Sequence, residues 1–260
     1  MRLLPRRLRH GEEATLVEHL DELRSRVILA ILAIAAMFAV AYVFHERVME
    51  WLREPLPPER RNDLLTLGVT EPFFTSIKVS LYAALALALP VVLWQLWSFL
   101  APAFDERAQR VIAVFVALAT VLFAGGIAFA YYVVLPPALD FLTTYDTELY
   151  EIQLRAASFY SFATAVLVAL GVVYELPIFV IALVRLGILT SAQLRRNRRV
   201  GYVLAVVVAV VLPTVDPVSL AFESIPLVVL FELSIWLSVF LERRWRAAGA
   251  LPEHDALPAR

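Results

Sequence analysis

LVEHLDELRSRVILAILAIAAMFAVAYVF (Leu16–Phe44) joins two different surfaces in one unbroken run. From Val27 to Phe44 there is no charged residue, over a length close to the roughly 20 residues that cross a bilayer. Just before it stand Glu18, Asp21 and Glu22, at a doorway where cytoplasmic flanks are normally rich in basic residues. Thr15 and Glu18 match a capping box, so a helix is expected to begin near Leu16. Leu16, Leu20, Leu23 and Val27 follow helical spacing on one face, and Glu18 and Glu22 share another. The acids allow two readings. In one, Asp21 pairs with Arg24 and Glu22 with Arg26 along the helix, at about 0.3–0.5 kcal/mol a pair when exposed. In the other, they form a docking surface for a cationic ligand arriving from the cytoplasm.

The rest of the chain agrees with the apolar half of that run. Of 260 residues 61% are hydrophobic and only 18% charged, with a mean hydropathy of +0.75. That leaves too little polar surface for a soluble domain and indicates a polytopic membrane protein. Cysteine is absent, which excludes disulfides, thiol nucleophiles and thiolate metal sites. The first apolar run is too long for the core of a cleavable signal peptide, and more runs follow it.

Six all-α spans are expected, at about 27–44, 73–100, 111–135, 156–184, 200–212 and 220–241, in one membrane domain. Seventeen arginines fall on one side of this arrangement and five on the other, which places both termini in the cytoplasm. His45 to Arg61 reads as an outer amphipathic helix, with Val48, Trp51, Leu52 and Leu56 available to lie on apolar surface. Pro136, Pro137 and Pro213 fall at the outer ends of spans, and Trp94 and Trp97 near an inner end.

Few residues offer chemistry. Glu175 interrupts the fourth span beside Pro177, where a charge costs about 2.5–3.5 kcal/mol on insertion scales. Protonation, or an interior hydrogen bond between helices, would lower that cost. Glu232 raises the same question in the sixth span. Lys78, the only lysine, lies inside the second span, where its amine can snorkel outward or pair with an acid. Asp105 and Glu106, in the loop APAFDERAQR (Ala101 to Arg110), could join Glu22 in one acidic patch. All four histidines lie outside the spans, and neither an H-E-x-x-H motif nor a P-loop occurs. No enzyme activity, metal, cofactor or nucleic-acid partner is expected.

Several segments together resemble the TatC family, the multispanning component of the twin-arginine protein translocase. They are EHLDELRSR, TEPFFTSIK, WQLWSFLAPAF, FAYYVVLPPALDFL, YELPIF and LPTVDPVS, in that order between Leu16 and Leu241. The resemblance implies a six-helix, cup-shaped bundle in the bacterial cytoplasmic membrane. It implies binding of twin-arginine signal peptides of folded substrates, with TatA- and TatB-type single-span partners and the proton-motive force. The complex would be a homo- or hetero-oligomer within the lipid bilayer. The family's signal-peptide site falls on Glu22 and Arg24, with His19 in the same segment and Phe99 before the first cytoplasmic loop. Its intramembrane and outer polar positions fall on Glu175 and Asp216, and Lys78 joins these as an intramembrane polar or partner contact. Two departures stand out: Ala108 where many members have a loop glutamate, for which Asp105 or Glu106 would substitute, and Leu220 where many have a glutamine. The rival reading is a proton-coupled small-solute secondary transporter using Glu175. It calls for broken helices in two related halves, which the sequence lacks.

Overall fold

The computed structural model describes residues 16–100, 112–213 and 216–247. Its long helices are α1 (Leu16–Val43), α3 (Glu71–Leu100), α4 (Ile112–Phe129), α6 (Ala156–Val173) and α10 (Pro217–Ala247). Shorter ones are α2 (His45–Arg53), α5 (Leu135–Thr144), α7 (Leu176–Arg185), α8 (Ser191–Arg196) and α9 (Arg198–Val211). Two short strands, β1 (Leu64–Leu65) and β2 (Leu154–Arg155), pair in parallel, with Leu64 opposite Leu154. Five segments are long and apolar enough to cross a membrane: His19–Val43, Glu71–Phe99, Ala113–Thr144, Ala156–Arg185 and Pro217–Trp245. At 14 residues, α9 is shorter than these.

The acidic stretch and the apolar run form a single helix, α1, which packs chiefly on α3. Leu20, Leu23 and Val27 face outward, whereas Glu22 and Arg26 are buried. This is the reverse of a soluble amphipathic helix. Hydrocarbon surroundings give a leucine no reason to turn inward, while charges gain from a partner inside the protein.

The third apolar stretch corrects one expectation. Pro136 and Pro137 do not end it, because α4 and α5 run on through a widened π turn at Ala130–Val134. There the Leu135 N–H reaches back five residues to the Ala130 carbonyl. The prolines bring no N–H of their own, and the wider turn relieves the clash of their rings with the preceding turn. Ala130, Tyr131 and Val134 are thereby turned into the core. At Pro177 the missing N–H has the opposite result. The helix breaks at Tyr174–Glu175 and restarts as α7.

Close packing fixes how the helices cross. A Cβ on Gly126 of α4 would lie 2.8 Å from the Leu170 carbonyl oxygen and 2.9 Å from Gly171 Cα of α6, so only glycine allows this approach. Gly201 of α9 likewise leaves room for the Phe231 ring of α10. The core contains Leu52, Leu56, Leu135, Leu170 and Leu227, so α2 and the turn after it close one end of the bundle. Trp51 secures that closure by stacking on Tyr131, 4.0 Å between ring centroids and 3° between planes.

Candidate functional site

The polar residues gather at three levels of the bundle. At the first level, the start of α1 meets the end of α3. Four residues apart on α1, Arg26 grips Glu22: its Nε donates to Oε1 at 3.1 Å, and its Nη2 makes a shorter contact with the same oxygen. Both side chains are buried, and Glu22 Oε2 accepts no hydrogen bond among the described residues. Local pairing thus holds for Glu22 and Arg26. Asp21 and Arg24 are exposed and do not pair with each other. One turn before Glu22, the His19 ring stacks on Phe99 of α3, with 4.5 Å between centroids and 23° between planes. This stack ties the two helix ends together and brings His19, Glu22 and Phe99 to one mouth. The Thr15 cap, Asp105, Glu106 and Ala108 lie outside the described residues.

Glu175 marks the second level, at the break between α6 and α7. It is half-buried, and its Oε1 is buried with no hydrogen-bond partner among the described residues. A helix-to-helix hydrogen bond, one of the two ways of lowering the cost of this carboxylate, is not formed among the described residues. Glu175 lies in the turn between α6 and α7, where its own N–H donates to the Val172 carbonyl and its carbonyl accepts the Phe179 N–H. Glu232 does bridge two helices, meeting the Tyr202 hydroxyl and lying 3.4 Å from Arg198 Nη2, both on α9. Glu223, in AFESIP (Ala221 to Pro226), is completely buried on α10 and was missed in the sequence. The test applied to Glu232, an acid inside an apolar run, would have found it.

The third level is the opposite end, where Glu71 starts α3. Its carboxylate takes Arg155 Nε at 3.0 Å and Nη2 at 3.2 Å. It also accepts the backbone N–H of Leu67 at 3.0 Å and of Ala157 at 3.3 Å. One carboxylate therefore clasps the loop before α3 to the start of α6, beside the β1–β2 pair. The bidentate contact pushes the Arg155 guanidinium above its usual value, so it stays charged. No sequence signal separated Glu71 from other acids except its place in TEPFFTSIK. Asp216 is buried here: its Oδ1 accepts the Ser219 N–H at 2.7 Å, and its Oδ2 has no partner among the described residues. Leu220, one turn on, packs against the main core. Lys78, exposed on α3, donates to Ser161 Oγ of α6 at 3.4 Å.

The arrangement has a buried carboxylate with one unbonded oxygen among the described residues at one end and a clasp at the other. Residues 18–226 match the family model described as Sec-independent protein translocase protein (TatC). The Sec-independent protein translocase protein TatC of Magnetococcus marinus is 33% identical over 237 residues, covering 90% of this chain and 87% of that protein. Its counterpart in Escherichia coli K12 is 34% identical over 227 residues, covering 86% and 88%. A crystal structure of a twin arginine translocase receptor, TatC, superposes with a TM-score of 0.75 at 35% identity, covering 85% of this chain and 99% of that one.

Proposed function

The chain belongs to the TatC family of Sec-independent protein translocases, and from that membership we propose that it is the receptor for twin-arginine signal peptides of folded proteins. Binding takes place at the cytoplasmic face, and export proceeds with TatA- and TatB-type single-span partners, driven by the proton-motive force. All six apolar segments cross the membrane, α9 as a short span, and both termini are cytoplasmic. The arginine split of seventeen to five supports that orientation. A small-solute transporter is not favoured by the family. A translocase component also accounts for a chain whose sequence carries no catalytic motif.

The observation that carries this reading is the half-engaged carboxylate of Glu22. Arg26 holds one oxygen and orients the group, while the other oxygen, buried and without a hydrogen bond among the described residues, is the acceptor left for a guanidinium. Arginine suits that acceptor better than lysine, because its planar fork matches a carboxylate. The His19–Phe99 stack beside it offers a flat surface for the rest of the peptide. Arg24, exposed on the same turn, is available to a peptide carbonyl or carboxylate, and Asp105 or Glu106 supplies a helper acid for the second arginine.

The test is peptide affinity. Glu22→Gln keeps an oxygen for Arg26 and removes the charge that faces the ligand. It should weaken a twin-arginine peptide by about 1.5–3 kcal/mol, roughly ten- to a hundredfold, and leave a twin-lysine peptide nearly unchanged. Wild-type affinity in Glu22→Gln, together with loss of affinity in an Asp105/Glu106 double alanine, would move the site to the loop.

A further inference from the structure

Lys78 is the only lysine of the chain and has no role in the site above. It sits on a ridge of α3 with Phe74, Leu81 and Leu85, which recur at helical spacing and are 61%, 45% and 36% exposed. Exposed and mostly apolar on a helix long enough to cross a membrane, that ridge suits acyl chains. Its ammonium makes one hydrogen bond, 3.4 Å to the Ser161 hydroxyl. No carboxylate of the described residues lies within the 4.0 Å of an ion pair. A cation in this position has two donor protons to spare and no counter-charge from the described chain.

The depth identifies what supplies the charge. Lys78 lies seven residues into α3, about 10 Å from its start at 1.5 Å per residue. Ser161 lies five residues into α6, about 8 Å in. Glu71 holds the two helix starts together, so these depths share an origin. Lysine side chains on a helix lean toward its N-terminus, which is the membrane surface here. The amine therefore rises to the level of Ser161, just beneath a headgroup band of about 5–7 Å on each side of the hydrocarbon. Ser158, exposed one turn nearer the surface, continues the same polar track.

We propose that Lys78 and Ser161 form a site for the phosphate of a phospholipid headgroup, in the leaflet at the Glu71 end of the bundle. The lysine supplies charge and the serine hydroxyl supplies a second donor, while Leu81 and Leu85, deeper on the same ridge, lie against the acyl chain. The proposal rests on α3 and α6 spanning the membrane and is independent of the signal-peptide site.

The single lysine makes the test direct. Full-length chain labelled with nitrogen-15 at the lysine amine gives one side-chain ammonium signal. In phosphatidylglycerol–phosphatidylethanolamine bilayers that signal should be dephased by phosphorus-31. In maltoside micelles with inorganic phosphate the dephasing should be lost. No dephasing in the bilayer overturns the site. Equal dephasing in micelles assigns it to a free anion, and dephasing by carbon-13 carboxylates assigns it to a protein acid; either overturns the lipid. Lys78→Arg should keep the phospholipid that co-purifies in mild detergent, and Lys78→Gln should lose it. Equal retention by both variants counts against the proposal.

Discussion

Asp216 and Glu175 are both acids within a membrane bundle, and their surroundings give opposite expectations for replacement. Asp216 caps the longest helix, with Ser219 N–H on its side chain, Leu220 N–H on its carbonyl and Pro217 in the first turn. Asp216→Ala should lower stability by about 1 kcal/mol, and Asp216→Asn by less, because asparagine also caps well. Thermal unfolding of the detergent-solubilised protein measures both. Glu175 has a buried oxygen with no hydrogen bond among the described residues. Glu175→Leu should therefore raise the unfolding temperature while reducing export, as expected where a functional group is kept at the expense of stability. A lowered unfolding temperature would mean that the carboxylate has a structural partner. Of the residues singled out from sequence, His19 and Phe99 stack on each other, with Glu22 one turn further along α1. Glu71 was not legible, because a carboxylate that gathers donors from residues 67, 155 and 157 looks in sequence like any acid at a helix start.

The short helix α9 sets a constraint on its surroundings. Fourteen residues make about 21 Å of helix against a hydrocarbon core of about 30 Å. As a span, it requires the bilayer to thin locally or water to enter beside it. Lengthening α9 by four leucines after Val207 should relieve the mismatch, and phosphate-to-phosphate thickness around reconstituted protein reads the difference. A bilayer of equal thickness around both forms would remove α9 from the list of spans. The apolar runs made the long helices legible, since hydrophobic length is a strong signal in membrane proteins. Proline was the weaker guide. Pro177 breaks its helix, yet Pro136 and Pro137 are absorbed by a π turn. Which outcome occurs depends on whether neighbouring helices hold the widened turn, as Trp51 does by stacking on Tyr131.

For the whole molecule, the proposed orientation rests on the arginine split, and a chain without cysteine is ready for labelling. Tyr150→Cys, 66% exposed, should react with an impermeant thiol reagent added outside cells, and Gln193→Cys should not. The reverse pattern inverts the protein. Asp216 would be a poor probe position despite lying at the same end as Glu71, because it is buried. The Glu71–Arg155 clasp has a further consequence during biosynthesis. Its partners are 84 residues apart, so at about 5–20 residues per second roughly 4–17 s separate their emergence from the ribosome. During that interval the second and third apolar segments are made while the carboxylate at the head of α3 still lacks Arg155. The half-made protein thus depends on whatever shelters that charge until the fourth span arrives.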